Sequence, residues 1–188
     1  MTVATPRDAA QGATIPFLRA NPIMKTLLLM RHAKARRPEK SPEDDHERPL
    51  TKRGKQQALA CGQRLKEAEL LPDLLLASTA RRCRSTVMQL LRSSGYRGET
   101  RLLPELYQTT PPALAALLAA LPDAVGRVLV IGHNPALVQF LHTLVEGEPL
   151  LPPGALAQVE LNLPRWQDLT ETTRGQLADL WEPARGRK

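Results

Sequence analysis

Lys25-Thr26-Leu27-Leu28-Leu29-Met30 runs directly into Arg31-His32. A short, continuous apolar run of this length reads as a strand covered on both faces, as in a parallel sheet. A strand ending in arginine and histidine hands a guanidinium and an imidazole to one edge of that sheet. The first can clamp an oxyanion through parallel hydrogen bonds, and the second can attack phosphorus. The dipeptide says little alone. It gains weight from Arg127-Val128-Leu129-Val130-Ile131-Gly132, a second apolar run that also ends in a histidine, His133. Between them, a third run leads into Ser78-Thr79-Ala80-Arg81-Arg82-Cys83-Arg84-Ser85-Thr86. Three strand ends, each delivering a residue type suited to phosphate, point to one active site.

The rest of the chain alternates around these runs. Residues 34–50 form a polar loop, and Thr51 to about Leu70 has helical spacing with Thr51 as its cap. Asp73–Ala77 reads as a strand, and Ser78 is expected to cap a helix over about 80–93. Thr100–Leu103 is a weaker strand, and Pro111–Leu121 a helix with prolines in its first turn. After the strand Arg127–Ile131, Asn134-Pro135 reads as an N-cap followed by an N1 proline, opening a helix to about Val145. Ala155–Leu163 alternates weakly and is expected at a sheet edge. Strands alternating with helices predict an α/β fold, a three-layer α/β/α sandwich with a mostly parallel sheet. Ligands on such sheets bind beyond the carboxyl ends of the strands, where Arg31, His32 and His133 fall. The expected organisation is a flexible extension over 1–23, one domain over 24–165 and a polar tail over 166–188.

Bulk properties narrow the function classes. A chain of 188 residues, 42% hydrophobic, suits a single globular domain. No apolar run nears the roughly 20 residues that span a bilayer, and no leader pattern opens the chain, so a cytoplasmic location is expected. Cys61 and Cys83 both fall in expected helices and read as small buried hydrophobes of a reducing compartment. The net charge of +7 suits an anionic partner, but 3% aromatic residues leave few stacking platforms for nucleic acid. Neither a nucleic acid nor a membrane partner is expected.

Arg31-His32-Ala33, Ser78 to Thr86 and Gly132-His133-Asn134, in that order, resemble the motifs of the histidine phosphatase superfamily, the phosphoglycerate-mutase-like group. Alanine stands at position 33 where that family carries glycine. Thr79 and Cys83 replace its usual proline and alanine. Ala33-Lys34-Ala35 and Glu47-Arg48-Pro49-Leu50-Thr51-Lys52-Arg53-Gly54 are similar to the small phosphohistidine phosphatase, SixA-type branch. The resemblance covers roughly residues 25–163. It implies His32 as nucleophile, Arg31, Arg82 and His133 as phosphate ligands, and no metal or other cofactor. Leu103-Pro104-Glu105-Leu106-Tyr107 resembles the segment where other members carry an acidic proton donor, which makes Glu105 a candidate against its reading as an exposed loop acid. Arg81 and Arg84 compete with Arg82 for the inward register. Lys34 and Asn134 are candidate substrate contacts, with a solvated loop and a helix cap as their ordinary roles. His46 and His142 read as structural or exposed.

The implied chemistry is phosphoryl transfer through phospho-His32, followed by hydrolysis. The expected substrate is a phosphorylated protein bearing phosphohistidine. One alternative is a small-molecule phosphomonoesterase with the same chemistry. The other is a non-catalytic module that binds phosphate or a polyanion.

Overall fold

The structure is a computed structural model and describes residues 24–37 and 43–184. The expected extension over 1–23 lies outside the described residues. Six strands form one sheet: β1 (Lys25–Arg31), β2 (Leu74–Ser78), β3 (Glu99–Leu103), β4 (Arg127–Gly132), β5 (Leu156–Leu161) and β6 (Gly175–Trp181). Their order is β3-β2-β4-β1-β5-β6. The four strands β3, β2, β4 and β1 are mutually parallel, and β5 and β6 are antiparallel additions. The helices are α1 (Glu43–His46), α2 (Lys52–Glu67), α3 (Arg81–Ser94), α4 (Pro111–Ala119) and α5 (Ala136–Leu144).

Side chains alternate across a strand, so a strand covered on both sides must be apolar at every position. Leu27, Leu29, Val128 and Val130 pack with Leu114 and Leu118 of α4 and with Leu137 and Phe140 of α5. Leu28, Met30, Leu129 and Ile131 face the other way, onto Cys61 and Leu65 of α2 and Cys83 and Leu90 of α3. Each fully buried leucine contributes about 1.5–3 kcal/mol of transfer free energy. The result is the expected three-layer sandwich. Gly62 lets α2 and α3 touch, because a Cβ there would collide with the Leu90 carbonyl and the Ser93 hydroxyl.

Four expectations change. Ala80, not Ser78, occupies the N-cap position of α3, and Ser78 ends β2 with its hydroxyl accepting from the Ala80 N–H at 3.2 Å. Asn134 does not cap α5: its side-chain amide donates to the Leu151 carbonyl at 3.0 Å, and the helix begins at Ala136. Strand β5 is not an edge, because β6 pairs with it from within the expected polar tail. A register shift between Gln158 and Val159 breaks the period-two pattern that would have marked this hairpin, and no residue of β6 is fully buried. Finally, α4 stops at Ala119, two residues short of the expected Leu121.

Candidate active site

Strands β1 and β4 pair in register with Arg31 opposite Gly132, so His32 and His133 leave neighbouring strands side by side. Their ring centroids lie 5.2 Å apart. The Nδ1 of His32 lies 2.8 Å from the Ala33 carbonyl. A carbonyl oxygen only accepts, so the proton sits on Nδ1 and the lone pair on Nε2. Burial lowers the His32 pKa to about 4; the Ala33 hydrogen bond opposes this, and the charges of Arg82, Arg31 and Arg48 reinforce it. The ring is therefore neutral at physiological pH, as a nucleophile must be.

Two helices fix the turn that carries His32. The Ala33 N–H donates to the Thr86 hydroxyl of α3 at 3.1 Å, and that hydroxyl donates to the Arg82 carbonyl at 2.7 Å. The Lys34 N–H donates to Gln57 of α2 at 2.9 Å. The Lys34 carbonyl accepts from both the N–H and the hydroxyl of Thr51, the residue that caps α2. Gly54 permits this approach, since any Cβ there would strike the Lys34 carbonyl.

His133 is held from the opposite nitrogen. Its Nε2 lies 2.9 Å from the Ser78 hydroxyl and 3.5 Å from the Cys83 thiol, while Nδ1 is buried without a partner. Burial, Arg82 and His32 together lower its pKa to about 3, against an opposing pull from Asp45.

Arg82 is the inward arginine. It is 4% exposed and shares a helix face with buried Thr86 four residues on, whereas Arg81 and Arg84 are exposed and reach Glu47. Arg82 donates to the Asp45 carbonyl at 2.6 Å and to its carboxylate at 3.1 Å. The Asp45 carboxylate also takes Arg48 at 2.8 Å and the Tyr107 hydroxyl at 2.9 Å. Asp45, Arg82, Tyr107, His133 and Asn134 line a cavity of about 260 Å³. Arg31, half-buried, donates to the Leu151 carbonyl at 3.3 Å, the same oxygen that takes Asn134.

Four candidates do not line this cavity: His32 (whose ring lies beside that of His133), Arg31, Glu105 and Lys34. Glu105 is exposed on a one-turn helix over Pro104–Leu106 and is absent from the lining, while Leu106 beside it takes the buried position. Lys34 is exposed and lines a different cavity. His46 is not merely exposed: its Nε2 lies 3.2 Å from the Thr79 hydroxyl and its ring packs edge-on against Tyr107. Asp45, Tyr107, Arg48 and Ser78 are the site residues that sequence reasoning missed. Arg48, Ser78 and Tyr107 fall within the motif segments quoted above, where their neighbours drew the assignment; Asp45 carried no signal.

A sequence model of the histidine phosphatase superfamily (branch 1) matches residues 27–110, which hold His32 and Arg82. Over that stretch the chain is similar to the histidine phosphatase superfamily. Among solved structures it is similar to the SixA-type protein of Nakamurella multipartitia, at 29% identity and TM-score 0.74, covering 85% of this chain and 96% of that one. It is also similar to the protein histidine phosphatase SixA complexed with tungstate, at 26% identity and TM-score 0.68, covering 82% and 95%. A mycobacterial glucosyl-3-phosphoglycerate phosphatase shares the fold at 15% identity and TM-score 0.57, covering 86% of this chain and 100% of that one. The curated relative ML1117 of Mycobacterium leprae is 33% identical over 110 residues, 57% of this chain and 66% of its own length. The match to Rv1276c of Mycobacterium tuberculosis, 35% identical over 106 residues, spans 56% of this chain and 63% of that protein. The chain thus spans just under two thirds of the length of the curated relatives it matches.

Proposed function

We propose that this protein is a histidine phosphatase that works through phospho-His32 and removes phosphate from phosphohistidine in proteins. The observation that carries the reading is the buried, neutral His32, its Nδ1 tied to a carbonyl, beside His133 and the arginines. The Nε2 lone pair attacks phosphorus in line while the bond to the leaving group breaks. Arg31, Arg82 and His133 hold the phosphoryl oxygens as charge shifts onto them. Because Nδ1 keeps its proton, the phosphorylated ring is cationic. Water then attacks phosphorus, the N–P bond breaks, and His32 departs as neutral imidazole while the water's proton passes to phosphate or solvent. The field comes from guanidiniums and imidazoles, and the scheme calls on no metal ion.

The leaving group decides the substrate class. An alkoxide needs a carboxylic acid poised to protonate it. Glu105 is exposed on its one-turn helix, while Leu106 beside it is buried. Asp45 lines the cavity, and burial pushes its pKa up, but the Tyr107 hydroxyl, Arg82 and Arg48 outweigh that and hold it below the usual carboxylate range. An ionised Asp45 is a poor acid. Phosphohistidine makes little demand for one, because its ring can take a proton on the distal nitrogen and leave as neutral imidazole. The SixA likeness supports the same choice.

The test compares a phosphohistidine-bearing domain with a panel of metabolite phosphomonoesters. The expected result is higher kcat/KM on phosphohistidine, with His32→Ala lowering turnover at least about 10⁴-fold, as loss of a nucleophile does. A higher value on any phosphomonoester overturns the substrate. Binding without turnover or a labile phosphoryl label on His32 would instead assign the chain as a phosphate-binding module.

A further inference from the structure

A second cavity, of about 330 Å³, shares no lining residue with the first and is built on the turn that carries the nucleophile. Its walls are Lys34, Arg53, Gln57, Pro152, Pro153 and Glu182, with Pro183 beside them. Lys34 is two residues from His32, and two residues of chain reach at most about 7 Å. The proline wall is fixed to the same turn: the Gly154 N–H donates to the carbonyls of Arg31 and His32, at 3.1 and 3.2 Å. Gln57 fixes the opposite wall through the Lys34 N–H. The cavity therefore has a set position relative to the attacking nitrogen.

Arg53 gives the cavity its chemistry. The side chain is half-buried and lines the cavity, so it sets a permanent cation in the wall. A carboxylate meets a guanidinium with two parallel hydrogen bonds. Lys34 adds a second cation and Glu182 one opposing charge, leaving a net +1 from the three. Arg36, Lys52 and Lys55, within two residues of Lys34 or Arg53 in the sequence, are exposed.

We propose, resting on the phosphohistidine reading, that this cavity takes an acidic side chain of the substrate protein, adjacent to its phosphohistidine. A polypeptide can place a phosphoryl group in one cavity and a carboxylate in the other, across the His32 turn. Arg53 binds that carboxylate, and the paired prolines pack against its stem. The site selects which phosphohistidine is processed and takes no part in the phosphoryl transfer.

The test uses four probes: a phosphohistidine peptide with Glu flanks, the same peptide with Gln flanks, phosphoramidate, and a doubly anionic phosphomonoester. Wild type is expected to prefer the Glu peptide. Arg53→Glu raises KM for that peptide about tenfold, the worth of one charge-assisted hydrogen bond, with kcat little changed. Arg53→Lys recovers part of the loss, and phosphoramidate turnover stays at the wild-type level, which also reports that the variants fold. Equal use of the two peptides by wild type overturns the proposal, as does an equal loss on phosphoramidate. A doubly anionic phosphomonoester hit harder than the Glu peptide would assign the cavity to metabolites and overturn it too. If wild type cleaves the phosphoramidate but neither peptide, the protein substrate itself falls, and the proposal with it.

Discussion

The turns after β1 and β4 are near twins with opposite wiring. Each ends a parallel strand of the sheet centre, each presents a histidine 8% exposed, and each ring is kept neutral chiefly by burial. They differ in which nitrogen is tied and to what. His32 is held at Nδ1 by a main-chain carbonyl, which fixes the tautomer because that oxygen has no proton to give. His133 is held at Nε2 by the Ser78 hydroxyl, which can give or take a proton. On the proposed mechanism the first wiring suits a nucleophile. The second suits a ring that donates to an anion from Nδ1 when the hydroxyl donates to Nε2. Burial alone would have assigned the two histidines the same role.

Removing His133 is the most direct way to break the comparison. On the proposed mechanism it donates to the transferring phosphoryl group, so His133→Ala is expected to lower turnover about 10²–10³-fold, the range for loss of one such donor. A quenched single turnover should still show slow labelling of His32. Complete loss of labelling, equal to that of His32→Ala, would mean the two rings act as one unit and erase the distinction drawn from their wiring.

Acid should expose the shared half of the comparison. Both histidines have folded pKa values, about 4 and about 3, below the ordinary 6.5. Between pH 6.5 and about 4 the unfolded chain binds more protons than the folded one, so stability falls as pH drops through that window. For His32 the loss amounts to roughly 3 kcal/mol, and the neighbouring rings titrate as a pair rather than independently. Urea unfolding at pH 7 and pH 4.5 measures it. His32→Asn should flatten the dependence, and an unchanged slope would show that the imidazole is not held neutral.

Much of this arrangement was legible in the sequence, for a physical reason. A parallel strand covered on both faces must be apolar throughout, so β1 and β4 announced themselves and so did the histidines that end them. Arg82 was legible within one residue of doubt, which helix periodicity resolves. What stayed hidden depends on contacts between distant segments. Asp45 meets Arg82 across 37 positions and Tyr107 across 62, and no spacing rule links them. Glu105 misled because Leu106 and Tyr107, one and two residues on, turn toward core and cavity while it turns to solvent. Strand order and β6 were hidden too, the latter because its faces are mixed and its pairing is bulged.

The smallest expected effect tests the wiring itself. Ser78 is fully buried, and its oxygen already accepts from the Ala80 N–H. When its own proton goes to His133 Nε2, the ring proton sits on Nδ1. Ser78→Ala removes that proton source and leaves the Cys83 thiol, a weak donor at 3.5 Å, as the neighbour of Nε2. A group that orients a reacting side chain without touching substrate typically costs 10–100-fold when lost, by analogy with the partners of metal-bound histidines, and the retained thiol puts the expectation near the lower end, about tenfold in kcat. KM should move less, because Arg31 and Arg82 still hold the phosphate, and His32 should still label. A shift of the ring's Nδ1 and Nε2 resonances toward the other tautomer would accompany the loss. A tenfold loss with the tautomer unchanged would make Ser78 a packing residue, and the contrast between the two turns would then rest on His32 alone.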